Sequence, residues 1–228
     1  LSSRREYTKA SPFVVLLAKG NHEVTSSWTH PIYGVRQTML GITCNNICFI
    51  GHGIGETRIL GGIGIANVQN ITLKQLTVTN TNGTGITLYG ANVQLVDVAF
   101  VHCVANGIYA RSVASAPSQL VATRCEMSNN GGNGLSIGNS NNNISQNVCL
   151  KNCISHHNST SGINIYGKGV VNIHGDITAI HSNVSHGICA EHSGKVIIHL
   201  PSNHNTIYNN GEEDRRPLLK GTITNVED

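Results

Sequence analysis

Gly134-Leu135-Ser136-Ile137, Gly162-Ile163-Asn164-Ile165 and Gly187-Ile188-Cys189-Ala190 share one pattern: glycine, an apolar residue, a spacer, then a small or apolar residue. The pattern also occurs upstream as Gly62-Ile63-Gly64-Ile65, Gly85-Ile86-Thr87-Leu88 and Gly107-Ile108-Tyr109-Ala110, so the Gly-to-Gly steps are 23, 22, 27, 28 and 25 residues. After each copy comes a second element with alternating apolar residues, among them Val93/Leu95, Leu120/Ala122, Val148/Leu150, Val171/Ile173 and Val196/Ile198. A third, shorter element follows, ending near an Asn four residues before the next Gly: Asn130, Asn158 and Asn183, with Cys103 and Thr81 in the same slot and Asn209-Asn210 repeating the theme.

Three short alternating segments per repeat, joined by turns of unequal length, predict an all-β, right-handed parallel β-helix of about seven to nine coils by that count. A single coil cannot bury its own apolar side, so the core exists only where coils stack. Stacked strands lie about 4.8 Å apart, which turns equivalent residues into ladders. Right-handedness follows from the general hand of parallel crossovers. Asn suits a fixed turn because it tolerates left-handed backbone and can hydrogen-bond its copy in the next coil. Unequal insertions then fall in turns, the longest at Gly138-Asn139-Ser140-Asn141-Asn142-Asn143. The 228 residues read as one domain: an N-terminal cap and opening coil over 1–24, coils over 25–211, and a capping tail over 212–228. Phe13-Val14-Val15-Leu16-Leu17 and Ile47-Cys48-Phe49-Ile50 read as strands of the first coils.

Composition excludes several classes of partner. Fifteen basic residues against twelve acidic ones, with no basic stripe among aromatics, leave no nucleic-acid footprint. No apolar run approaches the roughly 18 residues of a membrane span. The seven Cys are odd in number and carry no C-x-x-C spacing, which favours buried thiols in an intracellular setting. Five Asn-x-Ser/Thr sequons, at Asn70, Asn82, Asn143, Asn158 and Asn183, leave secretion open. Cys125 and Cys153 each precede their Gly by nine residues and should stack as an inward thiol ladder, a geometry that rarely suits a disulfide. The chain opens at Leu1 without an apolar leader and cleavage site, so it remains open whether residues before Leu1 were removed.

From Leu17-Ala18-Lys19-Gly20-Asn21-His22-Glu23-Val24 through Ile50-Gly51-His52-Gly53-Ile54-Gly55-Glu56-Thr57-Arg58-Ile59-Leu60-Gly61-Gly62 and Asn70-Ile71-Thr72-Leu73-Lys74-Gln75-Leu76-Thr77-Val78, the chain resembles the pectin-lyase-like superfamily of right-handed parallel β-helices. Ile180-His181-Ser182-Asn183, Val196-Ile197-Ile198-His199-Leu200-Pro201-Ser202 and Glu213-Asp214-Arg215-Arg216 resemble uncharacterised algal and protist members. The resemblance implies the fold over nearly the whole chain. It leaves the activity open, because this fold hosts lyases, hydrolases, epimerases, adhesins and phage spikes.

The superfamily's familiar machineries do not map onto the chain. Calcium-dependent lyases cluster carboxylates, whereas between Val24 and Gly175 this sequence has only Glu56, Asp97 and Glu126, in different coils. Gly51-His52-Gly53 matches a short polygalacturonase motif without the paired Asp that hydrolysis needs. Ile32-Tyr33-Gly34-Val35 begins like the Tyr-Gly-x-Asp-Pro-His stretch of alginate epimerases and stops before its catalytic half. No cofactor is expected.

What remains is the outward ladders. If the first and third residues after each Gly point inward, the second and fourth face solvent. The fourth column reads Ala66, Tyr89, Arg111, Gly138, Tyr166, Glu191, with His192 beside the last. Tyr89, Arg111, Tyr166 and Glu191 are therefore the candidate substrate-binding residues, by aromatic stacking on sugar and cation–π contact. Glu191, His192 and Arg111 are the candidate catalytic residues, should an acid–histidine pair converge on a groove. His174 and His199 fall on adjacent rungs of another face and are the candidate metal ligands. The leading expectation is a non-catalytic surface that binds a polysaccharide or another protein. The alternatives are a polysaccharide lyase, hydrolase or epimerase, and a structural solenoid whose ends pair into homo-oligomers.

Overall fold

The computed structural model describes residues 6–112, 118–138, 146–200 and 206–227. The long turn at 139–143, its sequon at Asn143, and His204 lie outside these residues. The chain is all-β, wound into a parallel β-helix with three faces. The first face holds strands from Phe13–Leu16 and Ile47–Ile50 through Gln119–Thr123 and Gln146–Lys151 to Lys195–Leu200 and Thr222–Glu227. Gly20–Glu23, Thr57–Leu60, Glu126–Ser128, Ile154–His156, Ala179–His181 and Thr206–Tyr208 lie on the second. The first two faces join into one sheet because Ile71–Thr79 and Asn92–Val101 run through both, bending at Gln75 and Asp97, where φ is +55° and +54°. The third face is an eight-stranded parallel sheet from Met39–Ile42 to Arg215–Pro217 and contains every copy of the glycine pattern, in agreement with the expected coil count.

The expected register holds at every copy. Ile63, Ile86, Ile108, Leu135, Ile163 and Ile188 stack in one row of the third face. They are buried, with Val93/Leu95, Leu120/Ala122, Val148/Leu150, Val171/Ile173 and Val196/Ile198 across the core from them. Branched side chains suit these inward positions because χ1 is already restricted and little rotamer freedom is lost. At the C-terminal end, Arg215–Pro217 and Thr222–Glu227 pair in register with Ile188–Ala190 and Lys195–Leu200 of the preceding coil and so continue the stack.

The structure supplies a reason for the repeating glycine. In each coil the N–H after the glycine donates to the carbonyl of the next coil's glycine, as Ile86 N to Gly107 O (3.0 Å) and Ile108 N to Gly134 O (2.9 Å). A Cβ on Gly107 would sit 2.8 Å from Gly134 O and 2.9 Å from Asn130 Nδ2; one on Gly162 would meet Gly187 O and Asn183 Nδ2, both at 2.8 Å. The side amides belong to the asparagine ladder. Asn130 Nδ2 donates to Asn158 Oδ1, Asn158 Nδ2 to Asn183 Oδ1, and Asn183 Nδ2 to Asn210 Oδ1, each at 2.9 Å. The row ends on Asp214 Oδ1, 2.7 Å from Asn210 Nδ2. At its upper end the slot belongs to Cys103, whose N–H donates to Asn130 Oδ1, and then to Asn80. Thr81 is the residue expected there; one extra residue between Asn80 and Gly83 lengthens that turn and moves the slot back to Asn80, whose amide packs against Gly62.

Cys125 and Cys153 stack on the inner side of the helix as free, buried thiols. The Cys125 thiol is pushed up by its hydrogen bond with Cys153 and by burial, and burial pushes Cys103 up to about 11. Cys44 is the exposed thiol.

Two outcomes follow from this packing. Gly107→Ala is expected to destabilise the protein by about 1–3 kcal/mol through overpacking. Gly83→Ala should be near neutral, because a Cβ there meets nothing closer than Asn80 Nδ2 at 3.6 Å. Thermal melts of the two variants check this, and equal losses would remove the explanation for the glycine column. In thiol titration of the native protein, Cys44 should react first and Cys125 and Cys153 only on unfolding; rapid labelling of either buried thiol would contradict the packing described.

Candidate functional site

Between Glu23 and Met39 the chain leaves the solenoid. Ser27–His30 and Gly34–Gln37 form an antiparallel hairpin, the one antiparallel pair among the described strands. Its turn is closed by His30, whose Nδ1 accepts from the backbone N–H of Ile32 (3.0 Å) and Tyr33 (3.2 Å), and by Gly34 at φ +72°. The hairpin lies against the outer side of the third face because Gly41 and Gly64, neighbours in register, leave a flat patch there. Trp28 fills that patch: a Cβ on Gly41 would fall 2.6 Å from the indole, and one on Gly64 would clash with it outright.

The hairpin changes what the outward columns present. Thr87 and Tyr89, expected at the solvent surface, are only 6% and 8% exposed. His30 packs edge-on over Tyr89, with ring centroids 5.3 Å apart, and lies 4.7 Å from Tyr33 and 5.2 Å from Trp28. Tyr89 is therefore part of the wall beneath the hairpin rather than an open platform for sugar. Arg111, next to Tyr89 in register, donates from Nη1 to Tyr33 Oη at 2.9 Å. Arg36 lies over the same tyrosine ring, 5.6 Å from its centroid. Tyr33 thus engages two guanidinium groups, one at its hydroxyl and one over its ring.

Beside this contact is a cleft of about 550 Å³. The hairpin residues Trp28, His30, Tyr33 and Arg36 form one wall, the turns at Asn80–Thr84 and Val104–Asn106 form the other, and Thr87 and Tyr109 lie on the strands between them. The lining is aromatic, amide-bearing and cationic, and contains no carboxylate. Burial, then Arg36 and Arg111, hold the His30 imidazole below its ordinary pKa of 6.5. Burial pushes the Tyr109 phenol up. His30 Nε2 and Arg111 Nε are buried without a hydrogen-bond partner, an arrangement that stores desolvation cost.

The other candidates sit elsewhere. Arg111, Gly138, Tyr166 and Glu191 do follow one another in register, but Gly138 places a rung without a side chain between Arg111 and Tyr166. Tyr166 is half exposed, with its ring 4.5 Å from that of His192. Glu191 accepts from Cys189 Sγ at 3.3 Å and, after burial, helps push that thiol up to about 12. His174 and His199 stack face to face with centroids 3.8 Å apart, and His199 Nε2 lies 3.2 Å from Asn172 Oδ1. Among the described residues no group of three or more His, Cys, Asp or Glu could hold a metal ion. The three scarce carboxylates are separately engaged: Glu56 with Lys19, Asp97 with Arg124, and Glu126 with His156.

The sequence over residues 61–214 matches the family described as the right-handed beta helix region, and the chain belongs to that family. Among solved structures it is similar to the A-module of the mannuronan C-5 epimerase AlgE4 from Azotobacter vinelandii, at 15% identity. That match covers 96% of this chain and 87% of the other, with a TM-score of 0.30. No curated protein matches the sequence.

The single Trp of the chain sits at this wall, so hairpin docking can be followed by its emission. Because the His30 imidazole titrates below its unfolded value of 6.5, the released hairpin takes up the proton preferentially. The stability His30 contributes is thus fully present above about 6.5 and is lost as pH falls toward its folded pKa. Trp28 emission should shift to the red on acidification from neutral pH, and His30→Asn, whose Oδ1 can accept the same two N–H groups, should abolish the shift. Unchanged emission in the native protein over that range would sink the assignment.

Proposed function

We propose that this β-helix is a non-catalytic binding protein whose hairpin-walled cleft takes an acidic oligosaccharide. The observation that supports it is the sign of the cleft: Arg36 lines it, Arg111 stands behind the lining at Tyr33, and no carboxylate lines the cavity to offset them. Sugar rings stack on aromatic faces while carboxylate or sulfate groups pair with guanidinium forks. Trp28, Tyr33 and Tyr109 supply the first kind of contact, and the side chains of Gln37, Asn82 and Asn106 add polar groups for hydroxyls. A cleft of this size accommodates a few sugar residues.

Enzymatic action on the same ligand is the second reading. Tyr109 in the cleft, beside a cation that can neutralise a uronate carboxylate, is the minimum for proton abstraction next to that group. His30 is poorly placed as the base, because its Nδ1 already accepts two backbone N–H groups. The binding reading is favoured since no second titratable group with a free acceptor faces Tyr109 among the lining residues.

Titration of oligouronates and of neutral oligosaccharides of equal length, followed by Trp28 emission, separates these readings. Binding of the acidic series alone is expected, weakening with salt, with Arg36→Ala lowering affinity by about ten- to a hundredfold, the worth of a charge-assisted contact of roughly 1.5–3 kcal/mol. Equal binding of both series, or none of either, would refute the proposal. Appearance of unsaturated product ends, lost in Tyr109→Phe, would establish the catalytic reading in its place.

A further inference from the structure

A second cluster lies on the second face, away from the cleft. His156 ends the strand Ile154–His156, and His157 follows it at φ +53°. In an ordinary strand adjacent side chains point to opposite sides. The left-handed backbone at His157 breaks that alternation, and the two rings meet edge to face with Nδ1 of His156 only 2.7 Å from Nδ1 of His157. The remaining nitrogen of His156 is already committed: Nε2 lies 3.3 Å from Glu126 Oε1, one rung above, and that carboxylate also accepts from Ser128 Oγ at 2.6 Å. With Nε2–H donated to Glu126, the Nδ1 lone pair of His156 is left facing its neighbour. His181, one rung below, stacks parallel on His156 with centroids 5.1 Å apart and fixes the ring plane.

We propose that His156 and His157 form a chelating site for a borderline divalent transition ion such as Cu²⁺ or Zn²⁺. Two imidazole nitrogens bound to square-planar Cu²⁺ at about 2.0 Å and roughly 90° apart are about 2.9 Å from each other, close to the spacing already present, whereas tetrahedral Zn²⁺ requires the pair to open to about 3.3 Å. In the absence of metal, one Nδ1–H···Nδ1 hydrogen bond bridges the pair. Metal uptake displaces that proton from Nδ1 of His157, which is re-protonated at Nε2 so that the ligating imidazole stays neutral. Glu126 acts as the positioning residue, setting the tautomer of His156 as carboxylates do behind metal-bound imidazoles. Imidazole donors suit Cu²⁺, Ni²⁺ and Zn²⁺, with Cu²⁺ bound most tightly of the three. Among the described residues no third His, Cys, Asp or Glu completes the set, and the other coordination positions are assigned to water. His157 is exposed and His156 half-buried, so the site is open to solvent.

The neighbouring rungs suggest substitutions that leave the coil intact. Ser128 holds the position of His156 one rung above, and Asn129 adopts φ +54° at the position of His157, so His156→Ser and His157→Asn copy residues the fold already uses. Copper(II) chloride is titrated into the whole protein by calorimetry, with electron paramagnetic resonance to count bound nitrogens. The native protein should bind one ion tightly with nitrogen coupling from two imidazoles. Either single variant should weaken that binding by about tenfold or more, and the double variant should abolish it, with thermal stability unchanged. A His174→Asn/His199→Asn control should leave that binding intact. Undiminished affinity in the double variant, loss in the control instead, or a copper spectrum without protein nitrogen would overturn the site.

Discussion

The structure depends on a contact that leaves no room for a side chain. On the third face Gly107, Gly134 and Gly162 each lie against the carbonyl oxygen of the next glycine, which is held there by the hydrogen bond that sets the rung spacing. The ladder amide of the next coil presses on the same Cα. A backbone carbonyl cannot move without breaking the sheet, and a ladder amide cannot move without leaving a buried donor unsatisfied. Glycine is therefore required at each copy by the approach of neighbouring backbone rather than by its own torsions, none of which is left-handed at Gly85, Gly107, Gly134, Gly162 or Gly187. Once this column is in place, the isoleucine row beside it follows and so do the inward rows of the first face.

That rigidity explains why chemistry collects where the repeat is interrupted. A regular rung gives its outward positions to flat sheet, with neighbours about 4.8 Å above and below. The cleft exists because a fourteen-residue excursion between Val24 and Met39 folds back onto two outward glycines, Gly41 and Gly64, which have no side chains to resist it. The histidine pair exists because a turn column occupied elsewhere by His102, Asn129, Ser182 and Asn209 carries His157 directly after a second histidine, His156, and the left-handed backbone there brings the two rings together. In both places the solenoid acts as a fixed frame, and a local exception to it creates a concavity or a donor pair.

Much of the frame was legible in the sequence, because a repeat declares its register several times over. Gly107, Gly134, Gly162 and Gly187 specify the same coil independently, and one irregular turn, such as that containing Gly83, shifts a single slot from Thr81 to Asn80 without disturbing the rest. The asparagine ladder was readable for the same reason. The surface was less so. Reading Tyr89 as solvent-facing follows from strict alternation, which is correct for the strand itself; Tyr89 is covered by a segment more than fifty residues earlier in sequence. Periodicity carries no information about an insertion that occurs once. The available signals were compositional: the single Trp, the turn His30-Pro31-Ile32-Tyr33-Gly34, and the change from large residues to Gly41 and Gly64 in an outward column.

The distribution of charge connects the frame to the proposed ligand. Buried and edge positions of a solenoid tolerate few charges, and the acids of the central coils are paired with nearby bases, as Asp97 is with Arg124 at 2.6 Å and Glu56 with Lys19 at 3.0 Å. Arg111 and Arg36 instead share a tyrosine, Tyr33, which takes up geometry without cancelling charge. A guanidinium held in place by a phenol keeps its attraction for an anion while losing little further freedom when the anion arrives, and a fixed donor loses less entropy on binding than a mobile one. Tyr33 therefore does for the cleft what the glycine column does for the solenoid: it fixes position in advance and leaves the space open for what binds there.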